Sequence, residues 1–169
     1  MKNLINKIKF FVKLCLSKKR KFNIGPGGIN KNSWIPNNLA PIVLFVYKRP
    51  EHTRRTLESL MKNELSGKSQ LFIFADGAKA SSSAPDVQKI NETRKILRKK
   101  QWCGEVIIHE SDMNKGLACS VIEGVTEIVN KFGKVIVLED DLITATGFLK
   151  YMNDALSKYE NEERVMQIS

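Results

Sequence analysis

Three acids in a row, Glu139-Asp140-Asp141, follow the apolar run Val135-Ile136-Val137-Leu138. Adjacent carboxylates leaving a buried strand repel one another, and a bound cation is the usual relief. Oxygen donors with no His or Cys beside them suit a hard ion, Mg2+ or Mn2+, that shares its shell with phosphate. Arg49, in Tyr47-Lys48-Arg49-Pro50, carries the forked donor that can neutralise a phosphate. Asp76-Gly77 places a lone carboxylate beside a glycine after a second apolar run. Asn114-Lys115-Gly116-Leu117 opens a helical pattern, where main-chain amides serve either an anion or a tight turn and cap. A solvated loop or a helix N-terminus also favours acids, so the triplet carries weight through its place at a strand end.

The elements between these residues must bring them together. Ile42 to Tyr47 is a continuous apolar run behind Pro41 and predicts a buried strand. Glu51 to Asn63 repeats Thr56, Leu57, Leu60 and Met61 at helical spacing. Leu71 to Ala75 predicts a second strand, and Pro85 suits the first turn of a helix through about Lys100. Glu105 to His109 predicts a third strand, and Gly116 to Lys131 a helix with Val121, Ile122, Val125, Ile128 and Val129 inward. Val135 to Leu138 predicts a fourth strand, Gly147 to Tyr159 a helix, and Val165 to Ile168 a fifth strand. Strand–helix alternation of this kind predicts an α/β fold, a mostly parallel sheet with helices on both faces. Ligands of such sheets bind beyond the carboxyl ends of the strands, where the residues named above fall.

Charge is distributed unevenly over the 169 residues. The total is +10, but residues 1–22 hold eight basic residues and no acid, which leaves the other 147 residues at +2. The globular part is close to neutral, so the total does not indicate a nucleic-acid partner. In residues 1–22, Leu4, Ile5, Ile8, Phe11, Val12, Cys15 and Leu16 recur at helical spacing opposite Lys2, Lys9 and Lys13. Such a basic amphipathic helix suits an anionic membrane surface, and equally suits packing on the domain with its lysines solvated. Lys9 and Lys13 interrupt what would be the apolar region of a signal peptide. Residues 23–40 are rich in Gly, Pro and Asn and read as a linker, which leaves 41–169 as the domain. No apolar run approaches the length of a membrane-crossing helix.

Other chemistries lack their residues. No Gly-x-Gly-x-x-Gly follows the first strand, and no Walker or Gly-x-Ser-x-Gly sequence occurs. Cys15, Cys103 and Cys119 are scattered, as reduced thiols would be. His52 and His109 are single and far apart, which predicts structural roles, and Trp102 predicts packing.

Four motifs in order resemble the nucleotide-sugar domain of GT-A glycosyltransferases. They are Pro41 through Pro50, Arg54-Arg55-Thr56-Leu57, Asp76-Gly77 and Val137-Leu138-Glu139-Asp140-Asp141-Leu142. The nearest flavour is the N-acetylglucosaminyltransferase I-like group and related bacterial family 2 sugar transferases. The resemblance spans Pro41 to Ser169 and implies a GT-A, Rossmann-like fold. It implies that Asp141 binds Mn2+ or Mg2+ bridging the donor diphosphate, Asp140 faces the ribose or its waters, and Glu139 approaches the donor sugar. It further implies Asp76 at the base, typically uracil, Arg49 at the nucleotide or its phosphates, and Lys115 at a phosphate. Relatives continue past the fifth strand into an acceptor half that holds the catalytic base of inverting members. Here the sequence stops at Ser169, so a truncated transferase is expected and no catalytic base is assigned.

The leading expectation is a metal-dependent glycosyltransferase, or its donor-binding half, using a UDP-sugar on a glycan or lipid-linked acceptor. Such an enzyme would build a surface polysaccharide or glycoconjugate. Its expected place is cytoplasmic, peripheral on the inner face of the membrane through residues 1–22. The alternative is a non-catalytic membrane-surface or interaction protein with a degenerate transferase-like domain. A magnesium-dependent phosphotransfer domain ranks last, because Lys48-Arg49 stands at the first strand end where its nucleophilic aspartate belongs.

Overall fold

The computed structural model describes residues 39–165 together with 167 and 168. The expected basic helix 1–22, and the linker as far as residue 38, lie outside the described residues. The linker's last expected residue, Ala40, is already part of the core: it is buried, and its N–H is donated to Asn153 Oδ1 at 2.7 Å.

Four strands form one sheet: β1 (Ile42–Val46), β2 (Gln70–Ala75), β3 (Glu105–Glu110) and β4 (Ile136–Glu139). Their order is β3-β2-β1-β4, and every neighbouring pair is parallel. Leu44 is the hub of the register, opposite Ile73 on one side and Leu138 on the other. Every residue of β1 is buried, which explains its unbroken apolar sequence: both of its faces are covered.

The helices are α1 (Pro50–Met61), α2 (Ala84–Leu97), α3 (Leu117–Phe132) and α4 (Phe148–Lys158). Side-chain alternation along β1 divides the core between them. Ile42, Leu44 and Val46 pack with Leu57 and Leu60 of α1, Leu97 of α2 and Leu149 of α4. Val43 and Phe45 point the other way and pack with Val121, Val125 and Ile128 of α3. Each fully buried leucine in these layers contributes about 1.5–3 kcal/mol of apolar transfer free energy. The chain runs outward from β1 to β3 and then returns to β4 on the other side of β1. With right-handed crossovers, that reversal sends α3 to the opposite face from α1 and α2.

Element boundaries differ little from expectation, apart from the last strand. Val165, Gln167 and Ile168 form no strand, and the Val165 N–H instead closes a turn onto Glu162 O at 3.0 Å. A turned backbone has given its donor to a local acceptor and has none to offer the β4 side of the sheet. Trp102 packs as expected, buried with its Nε1 donating to Leu97 O at 3.0 Å. Cys103 is buried, and desolvation pushes its thiol up to about 12, so it is chemically inert.

Two polar clusters tie connecting segments to the helices. Asn63, just past α1, donates to Ser59 O and Thr144 Oγ1 and accepts the Leu149 N–H at 3.0 Å. Ser59 Oγ accepts the Thr144 N–H as well. The segment after the acid triplet is thereby tied to the end of α1 and to the first turn of α4. On the other flank, Arg98 donates to Glu110 Oε1 at 2.6 Å, and Arg94 donates to Ser111 O at 2.6 Å. These hold α2 to the end of β3.

Removing the Asn63 amide leaves the buried Leu149 N–H without its acceptor. Asn63→Ala is therefore expected to cost about 2 kcal/mol in urea denaturation, and a cost near zero would show that the network is replaceable by water. The Arg98 hydrogen bond, with the Arg94 and Arg98 charges, holds the Glu110 carboxyl below its ordinary 4.5 against the opposing effect of burial. A depressed carboxylate stabilises the fold above its unfolded pKa and loses that contribution as pH falls through the folded value. The stability difference between the natural protein and Arg98→Ala should thus be present at neutral pH and shrink on acidification. Denaturation curves recorded across that acidic range would show instead a constant difference if Arg98 acted through packing alone.

Candidate functional site

The strand order places a direction change beside β1, between its two neighbours β2 and β4. In open parallel sheets that junction leaves a crevice at the carboxyl edge. β1 leads directly into Arg49 and β4 into Asp140-Asp141, so the crevice opens between these residues. One guanidinium nitrogen, Arg49 Nη1, lies 2.9 Å from Asp141 Oδ2 and 3.4 Å from Asp140 Oδ1. Residues 49 and 141 are 92 positions apart in sequence.

The two aspartates differ in environment. The Asp140 side chain is 12% exposed and that of Asp141 is 42% exposed. Burial pushes the Asp140 carboxyl above its ordinary 3.8, the Arg49 charge opposes this, and the Asp141 charge adds to it. The nearby Tyr47 main chain works against burial and favours the ionised form of Asp140. Asp140 is thus held against the end of β1, while Asp141 faces the open side. Glu139 is the last residue of β4, in register with Phe45. Beside Asp141 lies a shallow cavity of about 300 Å3, lined also by His52 and Arg55 of α1 and by Ile143.

Asp76 and Lys115 belong to a second group, at the ends of β2 and β3. Asp76 is buried, and its Oδ1 accepts the Gly77 N–H at 2.9 Å and the Lys115 N–H at 2.8 Å. Its Oδ2 accepts the Gly116 N–H at 3.0 Å. Asn114 Nδ2 adds a bond to Gly77 O. Gly116 caps α3 with φ of 78°, a conformation that favours glycine. Gly77 has no room for a side chain, since a Cβ there would stand 2.6 Å from Ser111 O. The amides that the sequence offered to an anion or to a turn therefore serve the turn, because Asp76 already occupies them. The Lys115 ammonium reaches Glu123 Oε2 of α3 at 2.7 Å. Around this group a groove of about 420 Å3 runs between β3 and α3.

Arg49, Asp140 and Asp141 are thus brought to one point, with Asp76 and Lys115 set together beside them. His52 and Arg55 were missed as site residues. His52, expected to be structural, is exposed and lines the cavity. The signal available for them was position: both sit in the first two turns of the helix that begins directly after Arg49. His109 does have the expected packing role, with its ring stacked on Phe74 at 4.8 Å between centroids.

Donor chemistry decides what the acid pair could hold. Among the described residues, no group of three or more His, Cys, Asp or Glu side chains is gathered as a metal cage. Magnesium-type ions are ordinarily held by one or two carboxylates with substrate phosphates and water completing the shell. Asp140 and Asp141 supply that much, in hard oxygen donors, at a spot that already attracts a cationic group. The residues present fit such an ion. Neither a protein-family model nor a curated protein matches the chain. Among the described residues, no helix is long and apolar enough to cross a membrane.

Because three main-chain amides end on one buried carboxylate, Asp76→Ala should cost about 3 kcal/mol, the scale of hydrogen bonds to a charged acceptor. Amide hydrogen exchange at Lys115 and Gly116 should accelerate in parallel. Protection retained at both amides would mean that another acceptor holds the turn.

Proposed function

We propose that the chain is a metal-dependent glycosyltransferase, or the donor-binding half of one, whose donor is a nucleoside-diphosphate sugar such as a UDP-sugar. The observation that carries this reading is the meeting of Arg49 with Asp140 and Asp141 at the switch point of a parallel sheet. An acid pair and a forked cation at that crevice are the complement of a diphosphate with its counter-ion. The ordered resemblance of the four sequence motifs to GT-A transferases supports the same reading.

Asp141, the exposed member, would hold Mg2+ or Mn2+ together with Asp140. The bound ion would supply Lewis-acid stabilisation of the leaving nucleoside diphosphate. Asp140 orients the pair, because its side chain is largely buried. Arg49 neutralises phosphate charge, and the base lies toward Asp76, whose bonds to Gly77, Lys115 and Gly116 shape that side of the crevice. Glu139 approaches the donor sugar from the end of β4. The acceptor is a glycan or a lipid-linked sugar, and residues 1–22 would hold the domain peripherally at the cytoplasmic face of a membrane.

Calorimetry with UDP and Mn2+ is the direct test. Binding is expected for the natural sequence and its loss for Asp141→Ala, with circular dichroism confirming that the variant is folded. Absence of binding, or binding indifferent to Asp141, would overturn the proposal.

A further inference from the structure

The Arg49 guanidinium stands where two roles conflict. A single nitrogen spans carboxylates of both Asp140 and Asp141, at the point a hard cation would take. The same guanidinium is the fork that would meet a diphosphate, and it cannot do both at once. We propose that Arg49 is a built-in place-holder for the cation, so that the divalent ion and the nucleotide bind as one coupled event. The inference rests on the donor-site reading above and concerns the order of charges within that site.

Charge accounting gives the direction of the coupling. Without ligands, one guanidinium partly offsets two carboxylates, one of them largely buried. A divalent ion arriving alone must displace Arg49 from its carboxylates into water or sit against it as a like charge. A diphosphate arriving alone must draw Arg49 away and leave an uncompensated buried acid facing an anion. When both arrive, the ion takes the carboxylates and Arg49 takes the phosphates, so every charge finds a partner. Mobility permits the exchange: the Arg49 side chain is 55% exposed, and its long stem can swing without disturbing the core.

Arg49 also maintains the acids between turnovers. Its contacts keep a positive charge against Asp140 and Asp141 in the absence of metal. The cost is weak affinity for either ligand alone. The gain is that free metal and free nucleotide do not occupy the site separately.

The test measures Mn2+ binding by the electron paramagnetic resonance signal of the free ion, with and without UDP, on the full chain. In the natural protein, saturating UDP should tighten Mn2+ by a factor within the usual coupling range of roughly 5- to 150-fold. Arg49→Gln removes the place-holder's charge and should tighten Mn2+ in the absence of UDP, while UDP improves it by a smaller factor than in the natural protein. Arg49→Ala provides the same readout should the glutamine find a bond of its own. Mn2+ affinity without UDP that is unchanged or weakened in both variants would overturn the place-holder. Tightened Mn2+ in the variants, with no UDP binding by any form, would sustain only the place-holding by Arg49 and would overturn both the coupling to a nucleotide and the nucleotide-sugar reading.

Discussion

Burying β1 on both faces constrains everything around it. Its five residues are all apolar and all buried, so its main-chain groups must be satisfied by strands on both sides. β2 takes one side and β4 the other, which forces the chain to reverse direction across β1. That reversal brings the residue after β1 and the residues after β4 to a common edge. The Arg49 contact with Asp140 and Asp141 is a consequence of sheet pairing, formed by residues that no local interaction would bring together.

Connecting segments are held by side chains that substitute for regular structure. Asn63 fastens the acid-bearing segment to the ends of α1 and α4. Asp76 gathers the amides at the start of α3. Arg94 and Arg98 hold α2 to the end of β3. Each bond satisfies a main-chain or charged group that a loop would otherwise leave to water.

Much of this was legible in the chain. The alternation of apolar runs with helical spacing is local information, and it placed four strands and four helices within a few residues of their ends. Pro85 appears in the first turn of α2 behind the cap Ser83, and Gly116 precedes α3. Val165, Gln167 and Ile168, expected to belong to a fifth strand, form none, because a strand exists only when a neighbour accepts its hydrogen bonds. The acids and Arg49 were recognisable as a group by their shared position at strand ends. Their mutual pairing was not, since it depends on which strands are neighbours. His52 and Arg55 had a signal in their place just after Arg49, but a helical run of Glu, His, Thr and Arg does not tell which side lines the cavity.

By itself, then, the sequence determined the class of fold, most of its core residues and the inventory of charges at the carboxyl edge, although Ile122, expected to face inward, is exposed. These follow from periodicity and from residue type, which are properties of the chain read locally. Only the tertiary structure decided how those charges are spent: Arg49 on two aspartates, Asp76 on three amides and Lys115 on Glu123. For Arg49 and Asp141, 92 positions apart, partner choice depends on distances of a few ångströms that are set by strand order and packing.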